Sequence, residues 1–489
     1  MKSRTFWFVV GSQHLYGPKV LETVASRAFE MAKSITADAH ISCTLIYKAT
    51  VKTPDEITAV MKEANFDDNC LGVVTWCHTF SPSKMWIAGL SMLQKPWCHF
   101  ATQYNRTIPN DEIDMDFMNL NQAAHGDREH GFIGARLRKP RKVIMGYWQD
   151  ERPLDELGKW MRSAVGYNES RNLKVVRFGD NMRQVAVTEG DKVEAQLKLG
   201  WQVNTRPVGE LAEEINGVSD AEVDEIVGEY RAKYDFKTDN MASVRCQARE
   251  EKAIMNILER EGAGAFSNTF EDLYGMEQLP GLATQRIMEK GFGYGAEGDW
   301  KTAALTRIIK SMCEGMGGGS AFMEDYTYNF APNAEYSLGA HMLEVCPTIA
   351  SDRPRIEVHP LGIGGKADPA RLVFEGKAGK ATVSTLIDMG GRFRLIVQDI
   401  EAIKPIMDMP NLPVARVMWR AMPDLCTGAK LWILAGGAHH TVLSYDATPD
   451  MLEDWAEMMD IEYVHIGKKT EVESFKQQLF LMDIARKLR

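Results

Sequence analysis

The chain has 489 residues, more than a single hydrophobic core usually spans, so two or three domains are expected. Its composition, with 45% hydrophobic and 25% charged residues, is that of an ordinary globular protein. The formal net charge of −10 argues against nucleic acid or an anionic membrane as a partner, because both call for a basic surface. The start of the chain lacks a signal-peptide pattern, and no run of about 18 apolar residues predicts a membrane span. We therefore expect a cytoplasmic protein that acts on a small, weakly charged molecule.

The first part of the chain alternates strand and helix patterns. Helical periodicity runs from Val20 to Ser34, and Thr53 and Pro54 form the N-cap and the first position of a second helix. The strand-like runs are Phe6–Gly11, Ile41–Tyr47, Leu71–Trp76, Trp97–Phe100 and Lys142–Tyr147. This βαβα order predicts a parallel, doubly wound sheet, which we assign to a Rossmann-like α/β domain of residues 1–172.

Two kinds of cofactor motif are missing from the sequence. The eight cysteines occur singly and form no CxxC pair, which excludes a zinc knuckle or a thioredoxin-type motif and is typical of reduced, buried thiols. None of the polar loops after the first strands reads GxGxxG, so no dinucleotide site is predicted. These loops are Ser12–Gly17, Cys77–Ser81 and Thr102–Arg106. A doubly wound sheet binds its ligand beyond the carboxyl ends of the strands, where these loops are expected to lie.

Two further domains are predicted. Residues 173–318 form a second α/β domain, with a strand at Leu173–Phe178, charge-rich helices over 208–260 and glycine-rich loops over 262–320. Residues 319–489 have short β-like runs separated by turns, which predict an antiparallel barrel or sandwich closed by a helix at Glu471–Leu488. The β-like runs are Arg355–His359, Ala381–Leu386, Arg392–Val397 and Leu431–Leu434. The predicted fold class is α/β, with two successive Rossmann-like parallel-sheet domains and a β-barrel-like C-terminal domain.

Two carboxylates and a set of histidines are candidates for a metal site. Glu297 lies in a glycine-rich turn before a predicted helix, and Glu324 lies on a strand-like run. His341 follows, and His439 and His440 come after a glycine turn at the end of an apolar run. Two carboxylates and two imidazoles suit Mn²⁺, Co²⁺ or Fe²⁺ and can leave two positions open for substrate oxygens. Isomerising an aldose needs such a site, in which the metal polarises the carbonyl and a carboxylate moves a proton between C1 and C2.

Spacing alone does not select these ligands. They are far apart in the sequence, and no local metal motif such as HExxH fixes their geometry. The alternatives are a helix-capping carboxylate for Glu297, an exposed strand residue for Glu324, and capped or core histidines for the rest. The competitors for the same roles are Asp299, Asp325, Glu344 and His439.

From Phe8 to His440 the sequence resembles the L-arabinose isomerase family almost continuously. The strings that carry the resemblance are Gly11–Gly17, His78–Pro82, Asp114–Gln122, Arg177–Met182, Glu297–Thr302, Phe322–Tyr326, His341–Pro347 and Gly436–Thr441. The resemblance implies an aldose–ketose isomerase that converts L-arabinose to L-ribulose through an enediolate, the first step of L-arabinose catabolism. A related metal-dependent isomerase acting on L-fucose or D-galactose is the alternative.

The resemblance also implies which residues form the site. The expected ligands of Mn²⁺, for which Co²⁺ is a substitute, are Glu297, Glu324, His341 and His440. The two glutamates are expected to act as the acid/base pair, and the choice of His440 over His439 rests on the family pattern. The residues expected around the sugar are Gln13, Leu15, Tyr16, Phe80, Gln122, His125, Met182, Phe270 and Ile363. The resemblance further implies a homohexamer with its active sites at subunit interfaces.

Two other classes of protein fit the sequence less well. A Rossmann oxidoreductase needs a GxGxxG turn after its first strand, and Gly11–Gly17 does not supply it. A sugar-binding protein of two α/β lobes usually carries a signal peptide and needs no cluster of metal ligands.

Leu361–Lys366 resembles a phosphate loop, but Ala367 stands where a P-loop has Ser or Thr. A β-turn with an apolar substrate contact is expected there instead.

Overall fold

The computed structural model describes residue 1 and residues 3–487, so the end of the predicted terminal helix, Leu488, lies outside the described residues. The chain divides into two compact units, Met1–Asn168 and Glu169–Arg489, which are described in turn. None of the helices in the described part combines the length and the apolar character that a bilayer crossing requires.

The first unit is built on a parallel sheet. Its strands are β1 (Thr5–Gly11), β2 (Thr44–Val51), β3 (Cys70–Cys77), β4 (Trp97–Ala101) and β5 (Lys142–Met145). Its helices are α1 (Gly17–Ala37), α2 (Pro54–Phe66), α3 (Ile87–Met92), α4 (Met115–Leu120), α5 (Ala123–Leu137) and α6 (Glu151–Asn172), the last of which continues into the second unit. The strand order is β2-β1-β3-β4-β5 with every pairing parallel, which confirms the predicted doubly wound sheet.

Local sequence explains how these elements begin and where they lie. Thr53 caps α2 by accepting a hydrogen bond from the main-chain N–H of Glu56, and Pro54 takes the first helical position, as predicted. Strands β1 and β3 are buried over almost their whole length, which accounts for their continuous apolar sequence. The polar loops over residues 12–16 and 78–82 follow these two strands at the carboxyl edge of the sheet.

The second unit begins with another parallel sheet. Its elements are β6 (Lys174–Phe178), α7 (Lys192–Leu199), β7 (Gln202–Arg206), α8 (Val208–Gly217), α9 (Asp220–Lys233), β8 (Asp235–Phe236), α10 (Met241–Glu261), β9 (Ala265–Asn268), α11 (Gly281–Glu289), β10 (Gly293–Gly295) and α12 (Trp300–Met312). The strand order is β10-β9-β6-β7, again parallel throughout. This sheet confirms the second predicted α/β region.

The prediction of glycine-rich loops over 262–320 is wrong where β9, α11 and β10 lie within that range, whereas the helix predicted after Glu297 is present as α12. The glycines there permit close packing instead of open turns. A Cβ atom at Gly293 would overlap the carbonyl oxygen of Ala303, and one at Gly295 would overlap that of Asp299. Strand β10 can therefore lie directly against the first turns of α12 only because these positions lack side chains.

A closed antiparallel barrel of six strands follows. The remaining elements are β11 (Ser320–Asn329), β12 (Tyr336–Ala340), β13 (Arg355–Val358), β14 (Ala370–Val373), β15 (Gly379–Asp388), β16 (Phe393–Ile403), β17 (Arg416–Ala421), α13 (Leu425–Ala435), β18 (His440–Ser444), α14 (Pro449–Met459), β19 (Glu462–Ile466) and α15 (Val472–Lys487). The barrel order is β15-β18-β11-β12-β17-β16, and pairing of β16 with β15 closes it. Strand β19 extends it in parallel beside β16, and a small separate sheet has the order β14-β13-β8. The barrel confirms the predicted C-terminal fold.

One predicted strand of this region is wrong. Leu431–Leu434 lies inside the helix α13, whose first turn is capped by the Asp424 side chain and whose end is marked by Gly436 in the left-handed conformation. A short apolar run has no periodicity that separates a strand from a buried helix. The flanking Asp and Gly are the signals that favour the helix here.

Helix α12 connects the parallel sheet to the barrel. It packs against β9 and β10 on one side and against β11, β15 and β18 on the other. Eleven of its residues are buried, and they include Trp300, Lys301, Ile308 and Met312. A helix that is buried all round fixes the sheet and the barrel relative to each other within this unit. The loop before α12 therefore has a defined position between the two.

Two glycines in the middle of helices of the first unit should respond in opposite ways to substitution by alanine. Gly131 in α5 has open space where a Cβ would lie, so Gly131→Ala should stabilise the unit by up to about 1 kcal/mol. Gly158 in α6 faces the carbonyl oxygen of His40, which a Cβ would overlap, so Gly158→Ala should destabilise it by about 1–3 kcal/mol. Thermal unfolding followed by circular dichroism measures both. Equal shifts of the melting temperature in the two variants would contradict this packing of α6.

Candidate active site

The loop between β10 and α12 presents Glu297 at the carboxyl edge of the second parallel sheet. Glu297 has a backbone φ of 59° and is followed by Gly298 with a φ of 78°. This left-handed pair makes the sharp turn from strand to helix, after which Asp299 caps α12 by accepting hydrogen bonds from the N–H groups of Lys301 and Thr302. The cap at this helix is therefore Asp299, and the Glu297 side chain is left available for another role.

The barrel register brings three more side chains to one place. Glu324 on β11 lies opposite His440, the first residue of β18. On its other side Glu324 lies opposite Ala340, the last residue of β12, and His341 comes directly after it. Because the three strands are neighbours in the order β18-β11-β12, their side chains lie within a few ångströms of each other. The Nε2 atom of His341 is 3.8 Å from the Oε2 atom of Glu324.

Each histidine is held by a second carboxylate through its other ring nitrogen. The Nδ1 atom of His440 lies 3.2 Å from Oδ2 of Asp299, and that of His341 lies 2.5 Å from Oε2 of Glu344. In the neutral imidazole, an Nδ1–H that donates to a carboxylate leaves Nε2 with its lone pair, which is the form in which imidazole binds a metal. The ring of Phe322 contacts both imidazoles edge-on, at 5.0 and 5.2 Å between centroids. Both rings are therefore fixed in orientation.

The structure distinguishes the two adjacent histidines. Glu297, His439 and His440 present ligand atoms that all lie within 4.8 Å of one another, so distance alone would admit either histidine. The His440 side chain is fully buried, and its Nε2, 3.6 Å from Oε2 of Glu297, has no hydrogen-bond partner in the described part of the chain. His439 is 36% exposed, with its Nε2 3.7 Å from the same oxygen. A buried, unpartnered nitrogen that faces a carboxylate makes His440 the better metal ligand.

The charges of the cluster shift the pKa values of its members. Burial alone would raise the pKa of Glu297, but the neighbouring imidazoles of His439, His440 and His341 outweigh it and hold that pKa below its ordinary value. Burial alone would lower the pKa of His341, but Glu344 and the two other carboxylates raise it to about 8. The pKa of Asp299 is also lowered, because Lys301 and His440 outweigh the effect of its burial. Glu297 and Asp299 are thus anionic at neutral pH.

Glu297, Glu324 and His341 line one cavity. One wall is apolar and contains Phe270, Leu279, Leu361 and Ile363. A polar floor of carboxylates with an apolar wall suits a small polyol whose reactive end meets the charged groups.

Three of the residues expected around the sugar lie in this second unit. Phe270 and Ile363 line the cavity, and the main-chain N–H of Met182 donates to the carbonyl oxygen of Glu297 at 2.9 Å. The loop of Ile363 is a turn, as expected. The Lys366 ammonium donates to the carbonyl oxygens of Leu273 and Met276. A phosphate-binding role for this loop has no support in these contacts.

The other six expected residues lie in the first unit. The Tyr16 hydroxyl donates to Oε1 of Gln122 at 3.0 Å, and the rings of Phe80 and His125 stack at 4.3 Å between centroids. Leu15 is 81% exposed, and Gln13 precedes it at the start of the same loop. These side chains follow β1 and β3 or begin α5, and so lie at the carboxyl edge of the first sheet.

Sequence reasoning missed Tyr326 as a part of the cavity. It lines the cavity beside Glu324, two residues further along β11. Alternation along a strand predicts residues 324 and 326 on the same face, so the pattern that nominates Glu324 also points to Tyr326.

Asp299 and Glu344, predicted as competing ligands, instead hold the two histidines.

Comparison with known proteins assigns the chain to a family. Three family models match in succession: the L-arabinose isomerase N-terminal domain over residues 1–172, the central domain over 174–315 and the C-terminal domain over 319–462. The L-arabinose isomerase of Geobacillus stearothermophilus is 55% identical over 480 residues, which cover 97% of this chain and 96% of that protein. The L-arabinose isomerase of Thermotoga maritima is 53% identical over 481 residues, which cover 98% of this chain and 97% of that protein. L-arabinose isomerase 1 of Bacillus licheniformis is 54% identical over 490 residues, which cover 100% of this chain and 99% of that protein.

Solved structures add little to this comparison. A periplasmic sugar-binding protein of an ABC transporter from Legionella pneumophila matches with 9% identity and a TM-score of 0.15, over 64% of this chain and 95% of that one. A likeness this weak supports no conclusion.

The sequence relatives and the site together define an aldose–ketose isomerase. The chain belongs to the L-arabinose isomerase family.

Proposed function

We propose that the protein isomerises L-arabinose to L-ribulose in the cytoplasm, as the first step of L-arabinose catabolism. Relatives named L-arabinose isomerase that match over nearly the full length support the substrate. The observation that carries the reaction is that Glu297, Glu324 and His341 line one cavity, with Nε2 of the buried His440 3.6 Å from Oε2 of Glu297. Most of the cysteines are buried in the described part of the chain, which is consistent with a reducing compartment.

Mn²⁺, with Co²⁺ as a substitute, is the proposed cofactor, held by Glu297, Glu324, His341 and His440. The donor set of two carboxylates and two imidazoles suits a hard or borderline divalent cation. The orientation of both histidines by carboxylates is the arrangement typical of metal-binding histidines. The buried Nε2 of His440, which has no partner among the described residues, is a nitrogen that a cation would satisfy.

The chemistry divides between the cation and the two glutamates. A bound divalent cation would polarise the carbonyl of the open-chain sugar and stabilise the negative charge that develops on its oxygens. Glu297 and Glu324 both reach the cavity, and as the acid/base pair they move the proton from C2 of the aldose to C1 through an enediolate, while the hydroxyl proton of O2 passes to O1. The lowered pKa of Glu297 keeps it anionic and able to accept a proton at neutral pH. The apolar wall around Phe270 and Ile363 limits the access of water to the intermediate.

Substrate and metal are tested together by measuring ketose formation from a panel of aldoses. After chelation the protein should lose its activity, and Mn²⁺ or Co²⁺ should restore it, because the cation stabilises the charged intermediate. L-arabinose should be the preferred substrate over L-fucose and D-galactose. Full activity of a metal-free preparation would exclude the proposed cofactor, and a higher kcat/KM on L-fucose would assign the chain to the alternative substrate.

The roles of the glutamates are tested by Glu297→Gln and Glu324→Gln, which keep the side-chain volume but remove a proton acceptor and an anionic ligand. Each should lower kcat by about 10²–10⁴, the range of general acid–base groups. Glu335→Gln is the control, since Glu335 is exposed and lies outside the cavity. A variant that retains most of the wild-type kcat at saturating Mn²⁺ would remove that glutamate from the mechanism.

We also propose that the active unit is a homohexamer in which the site lies between subunits. The expected metal ligands belong to the second unit, whereas Gln13, Tyr16 and His125 belong to the first. The two sets could meet within one chain or across an interface, and the resemblance to the family favours the interface. His125 of one subunit would then complete the site built on Glu297 and Glu324 of its neighbour.

This arrangement predicts that two inactive variants can complement each other. His125→Ala and Glu324→Gln, mixed under conditions that exchange subunits, should regain activity well above either parent, since some interfaces then contain both residues intact. Glu297→Gln mixed with Glu324→Gln is the matched control and should not recover, because both residues belong to the same half of the site. Absence of recovery in proven mixed oligomers would place His125 in its own chain's site or in none.

A further inference from the structure

Two of the strings that carry the family resemblance are in direct contact, although more than a hundred residues separate them. Residues 181–189, here called the anchor segment, connect β6 to α7 and include no expected metal ligand. The ligand loop, residues 296–301, carries Glu297 and includes the first two residues of α12. The side chains of Asn181 and Lys301 make hydrogen bonds between the two segments. Neither side chain has a part in the reaction proposed above.

Asn181 joins the segments from the side of β6. Its side chain is buried, and its Nδ2 donates to the carbonyl oxygen of Thr188 at 2.6 Å and to that of Gly298 at 3.2 Å. Its Oδ1 accepts a hydrogen bond from the Arg177 guanidinium. Every polar atom of this amide is therefore used, and one of its bonds reaches the residue that follows Glu297.

Lys301 joins the segments from the side of α12. Its ammonium is fully buried and has three oxygen partners: the carbonyl oxygens of Thr188 and Glu189, both at 2.8 Å, and Oδ1 of Asp299 at 3.2 Å. Three N–H groups meet three acceptors, so this buried charge is completely satisfied. The other oxygen of Asp299 holds Nδ1 of His440. Lys301 thus connects the anchor segment to His440 through one carboxylate.

The ligand loop needs such support because its backbone is unfavourable on its own. Glu297 has a positive φ, which a residue with a side chain rarely adopts unless its surroundings enforce it. The main-chain N–H of Met182 holds the carbonyl oxygen of Glu297, and Asn181 holds that of Gly298. A Cβ at Gly298 would lie 2.5 Å from the Cα atom of Asn181, so the two backbones are in close contact.

We propose that Asn181 and Lys301 are positioning residues that fix Glu297 and His440 in place before the cation and the sugar bind. Asn181 acts on Glu297 through the backbone of the ligand loop, and Lys301 acts on His440 through Asp299. Neither residue touches the cation. This inference rests on the proposed function, because it assumes that Glu297 and His440 are ligands of a divalent cation.

The test is the affinity of the apoprotein for Mn²⁺, measured from the electron paramagnetic resonance signal of the free ion at a temperature well below unfolding. Asn181→Ala and Lys301→Met should each weaken Mn²⁺ binding by about 10- to 100-fold, as loss of an orienting partner of a ligand typically does. At saturating Mn²⁺ kcat should recover in part, while the KM for the sugar should change little, since neither side chain lines the cavity.

Two control variants remove equivalent hydrogen bonds elsewhere in the same unit. Gln285 is a buried amide that donates to the carbonyl oxygens of Val345 and Leu372, and Lys377 is an ammonium that donates to three carbonyl oxygens. Gln285→Ala and Lys377→Met should lower the melting temperature but leave the affinity for Mn²⁺ unchanged. A loss of affinity in the controls equal to that in the test variants would reduce Asn181 and Lys301 to a general structural role and overturn the proposal.

Folding failure and failure of the proposed function give different results. If Asn181→Ala or Lys301→Met does not fold, the smaller and still polar changes Asn181→Ser and Lys301→Gln are measured in their place, and wild-type Mn²⁺ affinity in both would overturn the proposal. If the wild-type protein itself binds no Mn²⁺, the proposed metal site is wrong, whatever the variants do. If it binds Mn²⁺ but Asn181→Ala and Lys301→Met bind it equally well, only the positioning roles are wrong.

Discussion

A single buried carboxylate, that of Asp299, joins the start of α12 to the first residue of β18. Its Oδ1 accepts from the first turn of the helix and from the Lys301 ammonium, and its Oδ2 accepts from Thr302 and holds His440. Helix α12 belongs to the parallel sheet and β18 to the barrel, so this one group ties the catalytic ends of the two layers together. Glu297, two residues earlier, takes its position from the same turn.

Such an arrangement is costly unless every partner is present. Burying an ion removes it from water at a cost of several kcal/mol, and the cost is recovered only if the remaining hydrogen-bonding groups are all satisfied. Asp299 and Lys301 meet that condition with main-chain N–H groups, carbonyl oxygens and an imidazole. Loss of one member would leave the other buried and unpaired, typically at about 3–5 kcal/mol. The network therefore holds one geometry, and that geometry includes the ring of His440.

The barrel contributes a different kind of precision. Neighbouring antiparallel strands in fixed register place Glu324 opposite His440 and opposite Ala340, which His341 follows, and a slip of β18 against β11 by one residue would turn His440 to the other face. Rigid strands place ligands more exactly than loops do. The residues expected to contact the sugar lie instead on loops, such as those of Tyr16, Phe270 and Ile363. The site thus combines a rigid cluster of charged groups with more adaptable walls.

Much of the fold could be predicted because its signals are local. The βαβα alternation of the first part, the Thr53–Pro54 helix start and the strand at Ala381–Leu386 depend on periodicity and capping within a few residues. Periodicity was insufficient at Leu431–Leu434, where a short apolar run in a buried helix resembles a strand. Glycine content was misleading over 262–320, where the glycines serve close packing between β10 and α12.

For the site, the sequence by itself determined which residue types could carry the chemistry: Glu297, Glu324, a histidine near 341 and one of the pair His439 and His440. The family pattern favours His440 of these last two, and only the tertiary structure shows that His440 is the buried one, because its position depends on the pairing of β18 with β11 and on a carboxylate 141 residues away. The same holds for Asn181 and Lys301, whose contacts join segments that are more than a hundred residues apart. Periodicity and capping describe forces within one element, whereas these contacts exist only after sheet, helix and barrel have packed together.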